Sequence, residues 1–260
     1  MSLFMGIDIG SMTSKGVIVR ENQVVVHAVL PSGINYRLTA EKLKDYLIAS
    51  PGIDPGDIKA VTATGTGGSQ VGFADYQASS IVCSARGIIA TFPAARTVVN
   101  IGGQSSQIIS IDEKGQVIDF VVSETCAAGS ARFLQVIARV LQIDLQDVGP
   151  MSLKSSNPVN FTTGCAVFGE TEAISRIAQG TPSEDILAGV HKSIADKIQS
   201  MARGVKPVPD YVLCGGGALD IGLVKWVTDA MGVSLLLPPR PQLVTALGAA
   251  LVAEEKWNSR

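Results

Sequence analysis

Aromatic residues are scarce in this 260-residue chain, at 5% of positions, and basic residues hold no surplus, since the formal net charge is −2 with both signs dispersed. With neither a basic footprint nor a stacking platform, nucleic acid is not an expected partner. Long hydrophobic runs are missing as well. The longest apolar stretches, such as VTALGAALVA, fall well short of the roughly 20 residues that cross a bilayer, and MSLFMGIDIG lacks a signal-peptide pattern. The expectation is a cytoplasmic protein with no membrane partner. Four widely spaced cysteines argue against a disulfide framework and leave metal binding, reactivity or simple burial as their roles. The two histidines, His27 and His191, sit in no nucleophile or zinc constellation, and both read as structural. What the chain has in quantity is core-forming residues: 46% hydrophobic, enough for one large domain or two lobes.

The strongest pattern is an internal echo. MGIDIGSMTSKGVIVRENQVVVHAVL reads as a short apolar strand, a Gly-containing polar turn, a β-branched strand, a turn at Arg20-Glu21-Asn22 and a third strand. VVNIGGQSSQIISIDEKGQVIDFVV repeats it from Val98 to Val122, so that Asp8-Ile9-Gly10-Ser11 aligns with Asn100-Ile101-Gly102-Gly103 and Lys15 with Gln107. After each meander the pattern turns helical. Helices are expected over Thr39–Ala49 behind a Thr cap, Ala127–Gln142, Glu170–Gln179, Ser183–Arg203 and Leu219–Met231, with a closing one from Gln242. Strands are expected at Ile58–Thr64, Tyr211–Cys214 and Ser234–Leu237. Such alternation predicts an α/β protein of two lobes built on one plan, with a boundary near Phe92–Val98.

Three Gly-rich turns carry chemistry. Gly10, Ser11 and Ser14 offer backbone N–H groups and hydroxyls, Lys15 adds positive charge, and phosphate oxygens suit such a concavity. Gly102, Gly103 and Gln104 offer similar donors from the other repeat, so two facing turns would clamp a nucleotide. Asp8 is the natural carboxylate for Mg²⁺, which keeps several waters beside one or two carboxylates and the phosphates. Gly215 and Gly216, between a strand and a helix, would let backbone approach a nucleoside closely. Each turn alone also fits an ordinary tight connection; the ordered set is the stronger signal.

Cys126 and Cys165 each stand just ahead of a helical pattern among small residues. Two thiolates are half of what a four-cysteine iron–sulfur cluster requires, and a symmetric dimer would supply the rest. Cys83 and Cys214, in apolar stretches, read as core. Glu170 and Glu172, two apart on a helix, do not share a face and receive no acid–base role.

Taken together, GIDIGSMTSKGVI, CSARG, IGGQSSQII, CAAGSARFL, CAVFGETEAIS, LAGVHKSIA, CGGGALDIG and QLVTALGAAL resemble, nearly end to end, the acetate kinase/sugar kinase/heat-shock/actin ATPase superfamily. Within it the chain is most similar to the 2-hydroxyacyl-CoA dehydratase activators and benzoyl-CoA reductase ATPase subunits. The resemblance implies an actin-like (ribonuclease H-like) fold of two duplicated lobes, residues 1–93 and 94–241, with the helix near 242–256 returning to the first lobe and the nucleotide between them. It implies ATP/ADP and Mg²⁺ as cofactors. It further implies a homodimer, or a paralogous heterodimer, holding one [4Fe-4S] cluster through Cys126 and Cys165 of each chain. A ferredoxin or flavodoxin would be the donor and an iron–sulfur dehydratase or reductase the acceptor of one low-potential electron.

Against the family pattern, this chain has Asn100 and Ser105 where aspartates are common, and Met12 where a hydroxyl residue is usual. Asp8, Asn100 and Gln104 are the candidate catalytic residues, and loss of carboxylate near the second turn predicts slow or differently arranged hydrolysis. Two other readings stand beside this one. A small-molecule kinase of the same superfamily would need a catalytic Asp near that turn and no paired cysteines. A non-hydrolysing ATP-binding regulatory module would tolerate Asn100 and Ser105.

Overall fold

The computed structural model describes residues 2–123, 130–162 and 166–260; Cys126 and Cys165 lie outside them. The first meander forms β1 (Leu3–Ile9), β2 (Thr13–Arg20) and β3 (Gln23–Pro31). Its tight turn places both Glu21 and Asn22 in the left-handed region, at φ 50° and 61°, the twist that suits a two-residue hairpin. α1 (Tyr36–Ile48) starts before the expected Thr39. Asn35 caps it by accepting the Leu38 N–H at 3.0 Å, while Thr39 is buried and donates its hydroxyl to the Ser32 carbonyl at 2.7 Å. Leu43 and Leu47 are fully buried on the sheet, each contributing roughly 2 kcal/mol. β4 (Ile58–Thr64) lies parallel to β1, and β5 (Tyr76–Gln77) completes the order β3-β2-β1-β4-β5. α2 (Ser80–Thr91) follows.

The second half repeats the plan with an insertion. β6 (Thr97–Ile101), β7 (Ser106–Ile111) and β8 (Val117–Val122) form the meander. Then come α3 (Ala131–Leu141), α4 (Leu145–Ser152), α5 (Ala166–Ala178) and α6 (Ser183–Ala202). β9 (Tyr211–Cys214), α7 (Ile221–Met231) and β10 (Leu235–Leu236) give the order β8-β7-β6-β9-β10, and α8 (Val244–Asn258) closes the fold. Register repeats too. Asp8 pairs with Lys15 across β1–β2, and Asn100 with Gln107 across β6–β7.

The helices that follow the last strand of each sheet, α2 and α8, cross one another. α8 packs Ala246, Ala250 and Ala253 against Phe4, Val17 and Val19 of the first sheet. α2 packs Ala85 and Ile88 against Val98, Ile109 and Val212 of the second. Their crossing is reciprocal. A methyl at Gly248 would collide with the Cys83 carbonyl, one at Gly87 would collide with the Val244 carbonyl, and Ser84 and Thr245 share a buried hydroxyl hydrogen bond of 3.0 Å between them. A separate core under the second sheet gathers Phe133, Ile137, Ile186, Val190, Leu213 and Leu223 from the inserted helices, β9 and α7. Among the described residues, no helix is long and apolar enough to cross a membrane.

Candidate nucleotide site

Each central strand ends in a polar turn, and the turns of both sheets open onto one cavity of about 630 Å³. Its lining includes Asp8, Gly10, Ser11 and Lys15 from the first meander, Asn100, Gly102, Gly103 and Gln104 from the second, and Gly215 and Gly216 after β9. The three turns that the sequence singled out thus converge. Ser14 is the correction: it is fully buried within β2, its hydroxyl shares a 2.8 Å bond with Ser32 Oγ, and Thr13 lines the cavity in its stead. Strand alternation turns neighbouring residues to opposite faces, which is why Lys15 and Thr13 reach the cavity and Ser14 does not.

A fourth turn, the Gly-rich run Thr64–Gly68, is visible in the sequence but carries no chemical role there. Gly65 and Thr66, after β4, also line the cavity, and they mirror Gly215 and Gly216. Gly65 has φ 85° and Gly215 φ 87°, conformations that favour glycine. A Cβ on Gly65 would lie 2.6 Å from the Ile9 carbonyl oxygen, and one on Gly215 2.5 Å from that of Ile101, so neither backbone could come so close with a side chain present. Ser80 on α2 and Thr245 on α8 were missed from sequence.

Charge in the cavity is sparse and unevenly placed. Among its described lining residues only Asp8, Lys15 and Asp220 carry charge. Lys15 Nζ bonds Asp8 Oδ2 at 3.3 Å, and both side chains are nearly buried, so the carboxylate is held in place with one oxygen left over. In the second half the same register pair is two neutral amides. Asn100 Nδ2 donates to Ser84 Oγ at 3.1 Å, and Gln107 Nε2 donates to Ser80 Oγ at 2.9 Å, tying the second phosphate-type turn to α2. Lys15, the Asp8 carboxylate and the glycine turns that face them form a donor set that suits Mg²⁺ and a polyphosphate.

The second turn is also bonded to the start of α3. Ala131 N–H donates to the Gly102 carbonyl at 3.0 Å, and Ser130 Oγ to the Gly103 carbonyl at 3.2 Å. Gly169 of α5 packs on the ring of Phe133 of α3, so the helices that follow Cys126 and Cys165 in sequence lie side by side. Met12 reaches across from the first turn and lies on Gly103. The other two cysteines are core residues: burial pushes the thiols of Cys83 and Cys214 up to about 12, which leaves them inert. Glu172 is held below the usual carboxylate range; burial works against this, but the Thr162 N–H and hydroxyl and the Arg176 guanidinium outweigh it. That glutamate fastens the segment before Cys165 to α5.

Duplicated sheets with phosphate-type turns around one cleft define an actin-like ATPase, and solved structures share the whole architecture. The chain matches the BadF/BadG/BcrA/BcrD ATPase family over residues 5–253 and belongs to it. It is 35% identical over 249 residues to the 2-hydroxyisocaproyl-CoA dehydratase activator of Clostridioides difficile, a match covering 96% of this chain and 94% of that protein. The crystal structure of component A of the (R)-2-hydroxyglutaryl-CoA dehydratase of Acidaminococcus fermentans is similar, with a TM-score of 0.93 and 33% identity, covering 99% of this chain and 100% of that one. The activator of the 2-hydroxyisocaproyl-CoA dehydratase from Clostridium difficile, with bound ADPNP, gives a TM-score of 0.91 at 33% identity over 99% of this chain and 96% of that one.

Asn100 offers a direct test of the second turn. Asn100→Asp adds a carboxylate at the position equivalent to Asp8, and the Ser84 and Thr245 hydroxyls can reverse their donor direction to receive it. ATP hydrolysis by that variant, followed by phosphate release, should be at least about tenfold faster, because a second fixed carboxylate can organise metal or attacking water. An unchanged or lower rate would show that this position does not limit hydrolysis.

Proposed function

We propose that this chain is an ATP-driven activator that delivers a low-potential electron to a partner iron–sulfur enzyme, of the 2-hydroxyacyl-CoA dehydratase or benzoyl-CoA reductase kind. The names of its relatives support that class, since the chain spans nearly their whole length. In this reading Lys15, Ser11 and the backbone of Gly10, Gly102 and Gly103 hold the phosphates. Asp8 holds Mg²⁺, Gln104 and Asn100 face the reacting phosphate, and Gly215 and Gly216 admit the nucleoside. Residues 1–93 with the closing helix, and residues 94–241, act as two lobes that turn against each other, with α2 of the first stretch packed on the second sheet and α8 returned to the first. The protein works in the cytoplasm.

Cys126 and Cys165 would hold a [4Fe-4S] cluster with the same pair from a second subunit. When bound, that cluster supplies one-electron chemistry at a potential that thiolate ligation and nearby N–H groups set. A ferredoxin or flavodoxin is the donor, and a paralogous subunit could replace the second copy. The observation that carries the proposal is the pair of hydrogen bonds from Ser130 and Ala131 to Gly103 and Gly102. They join a turn that faces the phosphates to the helix that follows Cys126, so a shift at one end pulls on the other. The kinase reading lacks its carboxylate, because Asn100 stands where it is needed.

Anaerobically purified protein should contain about two irons per chain, half of a four-iron cluster, and give an EPR signal on reduction. Cys126→Ser and Cys165→Ser should each abolish the signal while ATP binding persists. Protein that stays iron-free after anaerobic reconstitution, or a signal untouched by either substitution, would sink the proposal.

A further inference from the structure

Behind the nucleoside end of the cavity lies a carboxylate that the phosphate chemistry does not use. Asp220 follows the Gly215–Gly217 turn, lines the cavity and caps α7, its Oδ1 accepting the Leu223 N–H at 2.8 Å. The same Oδ1 meets His191 Nε2 at 3.1 Å. His191 is fully buried on α6, and its Nδ1 lies 2.7 Å from the Leu187 carbonyl oxygen, which can only accept; Nδ1 therefore carries a hydrogen. Both bonds fall on Oδ1. Among the described residues Oδ2 has no hydrogen-bond partner, and its carboxyl group is locked in orientation from two sides.

The position narrows what Oδ2 can receive. Asp8 and Lys15 mark the phosphate end, while Leu219 and Ile221, the neighbours of Asp220 in sequence, bring apolar side chains to the lining that suit a base. A carboxylate would repel phosphate oxygens, and no cationic residue lines the cavity near Asp220 to claim it. A sugar sits between phosphate and base, and its hydroxyls are donors. In the mirrored turn the residue equivalent to Asp220 is Gln70, which is exposed and does not line the cavity, so this acceptor belongs to one half alone.

We infer that Asp220 accepts a hydrogen bond from a ribose hydroxyl of the nucleotide and so selects ribonucleotides over deoxyribonucleotides. The inference rests on reading the cavity as a nucleotide site.

The test is calorimetric binding of ATP, 2′-deoxy-ATP and 3′-deoxy-ATP, with Mg²⁺, to the whole protein and to two variants. Wild type should bind ATP at least about tenfold tighter than one of the two deoxynucleotides, the effect of one hydrogen bond to a charged group. Asp220→Asn keeps a capping oxygen but puts an NH₂ where Oδ2 stood, and Asp220→Ser keeps a cap but cannot reach. Both should bind all three nucleotides within about threefold of one another, at the affinity of wild type for the poorer ligand. Equal binding of the three ligands by wild type, or a preference that survives in the variants, overturns the inference and leaves the nucleotide site standing. No binding of ATP at all would instead overturn the reading of the cavity.

Discussion

Asp8→Asn should lower ATP hydrolysis by about 10²–10³-fold, the usual effect of removing one preorganised charged group from a reacting site. Asp8 is the lone carboxylate among the described residues at the phosphate end of the cavity, and the mirrored position is already an amide. In the proposed site, an amide at both positions would leave no carboxylate to fix Mg²⁺ against the turns. Binding should suffer far less than turnover, within about threefold, because Lys15 loses its 3.3 Å partner and becomes free to pair with phosphate. Chelation separates this from general damage: removing Mg²⁺ should slow wild type to the level of the variant and slow the variant little further. Turnover within about tenfold of wild type in the variant would remove Asp8 from the reaction.

Gly248→Ala should destabilise the fold by roughly 3 kcal/mol or more, which for a chain of this size lowers the melting temperature by about 10 °C. The added methyl meets the Cys83 carbonyl, a backbone atom that no rotamer change can move. Relief requires α2 and α8 to part, which would also stretch the Ser84–Thr245 bond and with it the anchor of Asn100. The reciprocal substitution Gly87→Ala should behave alike. A thermal melt within about 2 °C of wild type for either variant would show the crossing to be looser than its geometry implies.

Most of the sheet architecture was legible because β-branched residues mark its strands and the repeat fixes their order. β4 and β9 were bounded correctly from sequence, and the aligned residues Asp8/Asn100 and Lys15/Gln107 hold equivalent places in the two sheets, Asp8 opposite Lys15 and Asn100 opposite Gln107. α2 was not legible. SIVCSARGIIAT is small and apolar with little polar face, since one side lies between the second sheet and α8 and its exposed positions Val82 and Ala90 are apolar too, so the polar half of the period is missing. α4 was hidden by Gly149 and Pro150 inside it. The equivalence of Thr64-Gly65-Thr66-Gly67 with Cys214-Gly215-Gly216-Gly217 escaped notice because α3–α6 interrupt the second half and destroy equal spacing. Ser14 was misassigned because a hydroxyl beside a glycine turn looks alike on either face of a strand. Only the Ser32 bond distinguishes them.

The α2–α8 crossing has a kinematic consequence. Where two helices touch through backbone at Gly87 and Gly248, their separation is set by carbonyl and Cα atoms and cannot be adjusted by a side chain. Sliding is blocked, because each carbonyl sits against the glycine of the other helix. The Ser84–Thr245 hydroxyl bond adds a polar tie between the same two helices. The helix that rests on the first sheet and the helix that rests on the second are thus spaced by main chain, and no repacking of side chains can widen or close that gap.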